Sequence, residues 1–451
     1  MKNEIDMLNG KLAGKILRFA APLAATAVLQ QLFNAADIAV VGQFASSNAM
    51  AAVGSNASVI SLMVSLFLGL SVGANVIVAN LIGSGQKSKI HEAVHTTIAV
   101  SLIIGFSPIG VFNLVAKPLL TAMGAPAEVM DLAVLYLRVY SLAMPGIMLY
   151  NFGSAILRSK GDSRRPLLAL MASGVINIVL NLLFVIVFHL HVVGVALATA
   201  ISNMISAGLV ILFLVKEEEP FRLSFRKLSI KKRYLKGILA IGLPAGVQGM
   251  VFSFSNVIIQ STINSFGPAA IAGSTAAQNM EFMSYCIINA FGQTAVTFTS
   301  QNYASGKVDR CKKIFRITMA LGIGLDLIAV ALMMLFRYPL LSLFTGDPEV
   351  LDYAMIRMFY VCMMHFLIGS YEISGGALRG MNHSLLPALI SILGTCGFRL
   401  VWVFALVRPN HDFTLLMAVY PASWIFTGTI MLIFYFVVRR KAFSMIQKTG
   451  P

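Results

Sequence analysis

Residues 118–166 read PLLTAMGAPAEVMDLAVLYLRVYSLAMPGIMLYNFGSAILRSKGDSRRP, and residues 339–387 read PLLSLFTGDPEVLDYAMIRMFYVCMMHFLIGSYEISGGALRGMNHSLLP. Set side by side at an offset of 221, the two stretches share 13 of 49 positions without a gap. Among them are Pro118-Leu119-Leu120 against Pro339-Leu340-Leu341, and Glu128, Val129 and Asp131 against Glu349, Val350 and Asp352. Tyr150 matches Tyr371, Leu157-Arg158 matches Leu378-Arg379, and Pro166 matches Pro387. Shared hydrophobicity accounts for paired leucines. It does not account for paired Glu, Asp, Arg and Pro at one offset, so the chain carries an internal duplication.

Composition says where that duplication lives. The 451 residues are 58% hydrophobic and only 12% charged, against about 25% charged in a soluble chain. Two or three soluble domains of this total length need more surface charge than that. Disorder is excluded by the apolar content. The four cysteines, Cys286, Cys311, Cys362 and Cys396, show no CxxC spacing and no neighbouring histidine pairs, so they read as small packing residues. Twelve stretches reach the ~20 apolar residues needed to cross hydrocarbon: 16–42, 53–82, 93–116, 131–157, 166–188, 192–215, 237–265, 269–302, 314–336, 351–378, 387–408 and 413–438. Barrel strands would alternate over ~10 residues, which these do not. The expected fold is an all-α polytopic membrane protein.

Orientation follows from the 34 Lys and Arg: 28 fall on one side, three (Lys117, Arg337, Arg408) on the other, and three (Arg138, Arg357, Arg399) inside spans. Basic loops stay in the cytoplasm, so both termini are expected there. The net charge of +16 is a topology signal and an attraction to anionic lipid, not a nucleic-acid footprint. No small-residue cleavage site precedes the first long span, so no removable signal peptide is expected. Six spans per copy make the copies parallel repeats: a lobe over 1–215, a basic cytoplasmic linker over 216–236 and a lobe over 237–451, related by a pseudo-twofold axis along the membrane normal. Two such lobes leave a cleft, the usual machinery of a secondary transporter. No GxxxxGK[ST] loop is present, so an ion gradient is the expected energy source.

An ion-coupled carrier needs ionisable groups inside the membrane, where a carboxylate costs about 2.5–3.5 kcal/mol. The candidates are Asp37, Glu281, Asp326 and Glu372. Asp37 ends the run Gln30-Gln31-Leu32-Phe33-Asn34-Ala35-Ala36-Asp37 and lies about 8 Å below the outer end of its span, at ~1.5 Å per residue. Asn177 and Asn181, one turn apart on the fifth span, and Thr199 on the sixth come to the same height. This set is suited to a proton or, with backbone carbonyls, a sodium ion. Pro22 interrupts the first span and can bend it. Aligning Gly54 with Gly273 sets Asn256 opposite Asp37, so the acid belongs to the first lobe only.

In the second lobe, Glu281 and Arg399 near mid-span read either as a buried ion pair or, with Glu281 facing the cleft, as an attraction for a cationic substrate. Glu372 reads as paired locally with Arg379, and Asp326 has no evident partner. Asn34, Tyr140, Asn256, Gln278, Met280, Met283, Met363, Met364 and Tyr371 are candidates for an adaptable cleft lining, although many of the 24 Met must serve plain packing.

At these residues the chain resembles the multidrug and toxic compound extrusion (MATE) family, nearer its bacterial damage-inducible branch than its sodium-coupled norfloxacin-type branch. The resemblance spans all twelve stretches. It is carried by Pro22, Asp37-Ile38-Ala39-Val40-Val41-Gly42, the Gly54 and Gly273 segments, Leu157-Arg158, Leu378-Arg379 and the Asn177-to-Thr199 spacing. It implies export of organic, often cationic and amphiphilic compounds from the cytoplasm across the bacterial inner membrane, in exchange for protons or sodium. It further implies no enzyme activity, no cofactor, and a monomer working in lipid on small organic substrates. The family's ion site matches at Asp37, Asn177 and Thr199, while its usual second aspartate is Asn181 here. One acid fewer favours a proton over sodium at Asp37, and residues 237–265 lack the acid that norfloxacin-type members carry. The rival readings are a lipid-linked precursor flippase, which tends to have fourteen spans and a basic cavity, and a channel or receptor, which needs no two-lobed repeat.

Overall fold

The computed structural model describes residues 4–44, 47–122 and 127–449. Among them every regular element is helical. Twelve rods follow one another: α1 (Leu12–Phe44), α2 (Ser47–Gly83), α3 (Lys87–Ala122), α4 (Ala127–Ser141 and Met144–Ser159), α5 (Arg164–Val187), α6 (His191–Val215), α7 (Lys232–Asn264), α8 (Pro268–Ala304), α9 (Val308–Leu335), α10 (Pro348–Gly380), α11 (Leu385–Asn410) and α12 (Phe413–Thr449). The twelve expected stretches each fall on one rod. Ten rods are individually long and apolar enough to cross a membrane, and α4, bent by 40° between its two pieces, makes an eleventh.

The remaining rod, α8, has the length but not the hydropathy, and its polar residues explain why it is tolerated. Thr294, Thr297, Ser300 and Asn302 are buried and donate to carbonyls one turn back, at Ala290 (2.7 Å), Gln293 (3.1 Å), Val296 (2.7 Å) and Phe298 (2.8 Å). A polar side chain satisfied by its own helix can lie inside a membrane protein. Apolar side chains cover the outside instead: Leu114 is 82% exposed, Leu335 69% and Val401 68%. Such surfaces suit lipid and not water.

Contacts group the chain into two units, one of Met1–Ile5 and Ala25–Gly246, the other of Asp6–Ala24 and Val247–Pro451. The division falls within α1, two residues past Pro22, and within α7, two residues past Pro244, both of which lie inside unbroken helices. These contact-based units and the charge-based lobes over 1–215 and 237–451 differ in which piece of α1 and α7 each holds.

In the first unit α2 and α7 touch backbone to backbone. A Cβ on Gly69 would come within 2.1 Å of the Gly246 amide nitrogen, and one on Gly73 within 2.2 Å of the Ile238 carbonyl. The four-residue glycine spacing on both helices permits that approach. The basic linker packs on the same unit. Glu217 binds Lys160 and Arg165, each at 2.5 Å, and Lys160 also reaches Glu4 at 2.6 Å. Burial works to raise the Glu217 carboxyl, but hydrogen bonds and charge from Lys160 and Arg165 hold it below the usual carboxylate range.

In the second unit Arg310 donates to the carbonyls of Met7 (3.1 Å), Gly10 (2.8 Å) and Asn9 (2.8 Å), tying the segment before α1 to the start of α9. Phe19 meets Phe298 edge-on with centroids 5.5 Å apart. All four cysteines are buried free thiols.

Candidate functional site

Helical periodicity places four polar groups together in the first unit. On α1, Phe33 and Asp37 are four residues apart and share a face; on α5, Gly174, Asn177 and Asn181 do the same. Gly174 sets how closely the faces approach, since a Cβ there would lie 1.9 Å from the Phe33 ring. With Phe33 seated on bare backbone, Asp37 one turn further meets the amides. Asn181 Nδ2 donates to Asp37 Oδ1 and, at 3.2 Å, to Asn177 Oδ1. Thr199 Oγ1 lies 3.4 Å from Asp37 Oδ2 and donates to the Val195 carbonyl at 2.9 Å. Asn177 Nδ2 continues the chain to Ser202 Oγ at 3.3 Å.

Asn177 and Asn181 are buried and Asp37 is half-buried. Among the described residues no Lys, Arg or His makes an ion pair with Asp37. Tyr136 and Tyr140 of α4, with ring centroids 5.9 Å apart, lie within electrostatic reach of its carboxylate. One turn beyond, Val40, Tyr136, Val185, Val192, Val195 and Ala196 form an apolar cluster. The result is a carboxylate held by neutral donors at the edge of an apolar core. Such a group can take up a proton without breaking an ion pair. Among the described residues the buried Oδ1 of Asn181 has no hydrogen-bond partner. No group of three or more His, Cys, Asp or Glu suited to a metal occurs among the described residues.

The second unit corrects the pairing read from mid-span position. Glu281 is not the partner of Arg399. Its Oε2 accepts from Arg357 Nη2 at 2.7 Å and Nε at 3.2 Å, while Arg357 Nη1 donates to Ser274 Oγ at 2.7 Å. Arg399, also buried, donates to Ser423 Oγ at 3.2 Å and lies over Tyr420 (4.5 Å) and Phe252 (5.3 Å). Position along the helix admits both arginines; lateral packing of α10 on α8 selects Arg357.

Glu372 and Arg379 interact electrostatically without an ion-pair contact among the described residues, because Arg379 Nη2 donates to Gln248 Oε1 at 2.7 Å. Asp326, expected to lack a partner, has two. Ser284 Oγ donates to its Oδ1 at 2.5 Å, and His365 Nδ1 lies 3.2 Å from its Oδ2. The missed signal was His365, the one histidine of seven deep within a span.

Of the remaining lining candidates, Tyr371 is buried and Met280 packs against the cluster containing Met358 and Cys362. Asn34, Asn256, Gln278, Met283 and Met363 are exposed, while Met364 is partly buried. The hydrogen bonds described do not gather them into one site.

Comparison with known proteins agrees with this architecture. The family model MatE matches residues 22–183 and again 244–404, once in each half of the duplication. This chain belongs to the MatE family of membrane transporters. The "Probable multidrug resistance protein YoeA" of Bacillus subtilis is 26% identical to this MatE protein over 439 residues, covering 95% of this chain and 94% of the relative. The "Probable multidrug resistance protein NorM" of Thermotoga maritima is 25% identical over 429 residues, covering 93% and 91%. A MOP superfamily transporter from Pyrococcus furiosus, described as having a binding pocket of reverse polarity, has the same fold, with a TM-score of 0.88 at 24% identity and 99% of both chains covered. An outward-facing multidrug resistance MATE transporter aligns with a TM-score of 0.88 at 22% identity over 100% of both chains. These matches fix the MatE family; nearness to the damage-inducible branch rests on the sequence motifs alone.

Proposed function

We propose that this MatE transporter is a multidrug efflux antiporter that exports organic, amphiphilic compounds in exchange for inward protons, with Asp37 as the coupling acid. It does so as a monomer in the bacterial inner membrane, with both termini in the cytoplasm. The carrying observation is the Asp37 carboxylate held by Asn181 and Thr199, with no Lys, Arg or His paired to it among the described residues. Protonation there removes a charge from low dielectric and leaves the neutral donors in place. A cation brought by the substrate competes with the proton for the same carboxylate, which is the elementary requirement of exchange. Because Arg357 neutralises Glu281, Asp37 rather than Glu281 supports a preference for cationic cargo. Multidrug resistance is what the names of these two relatives state for those proteins. A lipid-linked precursor flippase is not favoured by any of these matches.

One observation favours sodium as a second reading: the buried, partnerless Oδ1 of Asn181 is an oxygen free to ligate a cation. A single carboxylate is nevertheless a sparse set for an ion that prefers several oxygens. Proteoliposomes loaded with ethidium, under separately imposed pH and sodium gradients, distinguish the two. Efflux is expected to follow the pH gradient and to fall to the level of empty liposomes in Asp37→Asn, with the variant still monodisperse in detergent. Wild-type exchange by Asp37→Asn defeats the proposal; dependence on sodium alone selects the second reading.

A further inference from the structure

The second unit holds a titratable pair that the Asp37 site does not use. Asp326 on α9 is fully buried, and His365 on α10 is 1% exposed. Their Oδ2 and Nδ1 atoms are 3.2 Å apart, and Ser284 of α8 donates to the other carboxylate oxygen at 2.5 Å. Among the described residues His365 Nε2 has no hydrogen-bond partner, and the Trp424 ring of α12, T-shaped to it with centroids 5.8 Å apart, has its own Nε1 also unpartnered. Buried polar atoms are seldom left this way.

The duplication shows that packing does not demand this pair. The offset of 221 residues carries Gly105 to Asp326 and Met144 to His365. In the first unit Gly105 lies close against the α4 backbone, where a Cβ would be 2.7 Å from Pro145 Cα and 3.4 Å from the Met144 carbonyl. The equivalent helices of the first unit thus meet there through a glycine against backbone. The second unit instead places an acid and a histidine there, at the cost attached to ionisable groups in a span.

The position is also the least regular stretch of α10. A π-type turn over Met358–Cys362 and a 3-10 turn over His365–Leu367 flank Met363 and Met364, the counterparts of Leu142 and Ala143 where α4 bends. Irregular turns at repeated positions mark places where a helix can change shape.

We propose that Asp326 and His365 form a second proton-carrying site, which loads and unloads one proton in each transport cycle. Unloaded, a neutral imidazole donates from Nδ1 to the Asp326 carboxylate and leaves the Nε2 lone pair open. Loading adds one proton from water at Nε2, giving an imidazolium–carboxylate pair of no net charge. Nε2 then turns from acceptor to donor beside the α10–α12 contact that His365 and Trp424 make. Unloading returns the same proton to water. The surrounding groups are Ser284 and Glu281 from α8, Cys362 and Arg357 from α10, and Trp424 and Tyr420 from α12. Cys362 feels the charges of Asp326, Glu281 and Arg357, while the Glu281–Arg357 pair is self-neutralised. An imidazole and a carboxylate in contact share their proton as one unit. The assignment rests on the proton-antiport reading for its role in transport, but not for the existence of the site.

Nitrogen-15 histidine spectra of the full chain in detergent test it, with His365→Gln identifying the resonance among the seven histidines. The His365 ring signal is expected to show both a neutral and an imidazolium form as the pH is varied, and Asp326→Asn should change their balance. Asp37→Asn should leave that titration intact while abolishing exchange. In ethidium proteoliposomes, folded His365→Gln or His365→Asn is expected to move about one proton fewer per ethidium. A ring locked in one neutral form across the range overturns the site. An unchanged proton-to-ethidium ratio in either folded His365 variant overturns its coupling role. If Asp37→Asn exchanges normally while His365 titrates, the Asp37 reading falls and this one stands.

Discussion

In the first unit Asp37 meets only neutral donors, Asn181 and Thr199, whereas in the second Glu281 is clasped by Arg357 and Asp326 faces His365. The scaffold is duplicated, but its charge compensation is not. A carboxylate bound to arginine in low dielectric is fixed in its charged form, since protonating it strands a guanidinium. A carboxylate among amides and hydroxyls has no such anchor. On the proposed reading, the difference separates the arginine-bound Glu281, a structural acid, from Asp37, the coupling acid. It also shows why counting acids inside spans does not locate a coupling site: the decisive quantity is what each acid touches.

The contrast can be broken most severely at Arg357. Replacing it with alanine leaves Glu281 uncompensated and is expected to cost about 3–5 kcal/mol, read as a large drop in melting temperature in detergent. The double variant Glu281→Gln/Arg357→Gln should recover most of that loss. A single variant melting like the parent would mean that Glu281 is not held by this pair.

A smaller effect is expected at Gly174, where the added methyl of Gly174→Ala runs into the Phe33 ring. Overpacking of this kind costs about 1–3 kcal/mol. It should also impair ethidium efflux, because Asp37 sits one turn from Phe33. Adding Phe33→Ala makes room and should restore stability more than transport. Equal recovery of both would show that Phe33 does not position the acid.

The smallest effect concerns Glu217, outside the spans. Its carboxyl is held below the usual range in the folded chain, so it adds stability above the ordinary glutamate value that is lost as pH falls through the lowered one. Glu217→Gln should therefore melt lower than the parent at neutral pH, by about 1 kcal/mol. The gap should close on acidification. A gap that widened in acid would reverse the assignment.

Much of the Asp37 site was legible because helices impose depth and phase. Four-residue spacing joined Asn177 to Asn181, and counting from span ends brought Thr199 to their height. The same counting failed for Glu281, since Arg357 and Arg399 are both mid-span and only sideways packing chooses between them. It failed for Asp326 because His365 sits beside the break in α10, where simple phase no longer predicts direction. The polarity of α8 blurred its hydropathy for a related reason: Thr294, Thr297 and Ser300 satisfy themselves on their own backbone, a fact of conformation rather than composition.

The amino-acid order alone determined the membrane-spanning class, the twelve helices, the duplication and the mid-span position of Asp37, because apolar length, basic-loop bias and matched non-hydrophobic residues are properties of the chain read in one dimension. Tertiary structure decided which charges are answered: Arg357 rather than Arg399 for Glu281, His365 and Ser284 for Asp326, and the neutral Asn181 amide and Thr199 hydroxyl for Asp37. Electrostatic compensation depends on separations of a few ångströms between helices far apart in the chain, and those separations exist only once side chains have packed.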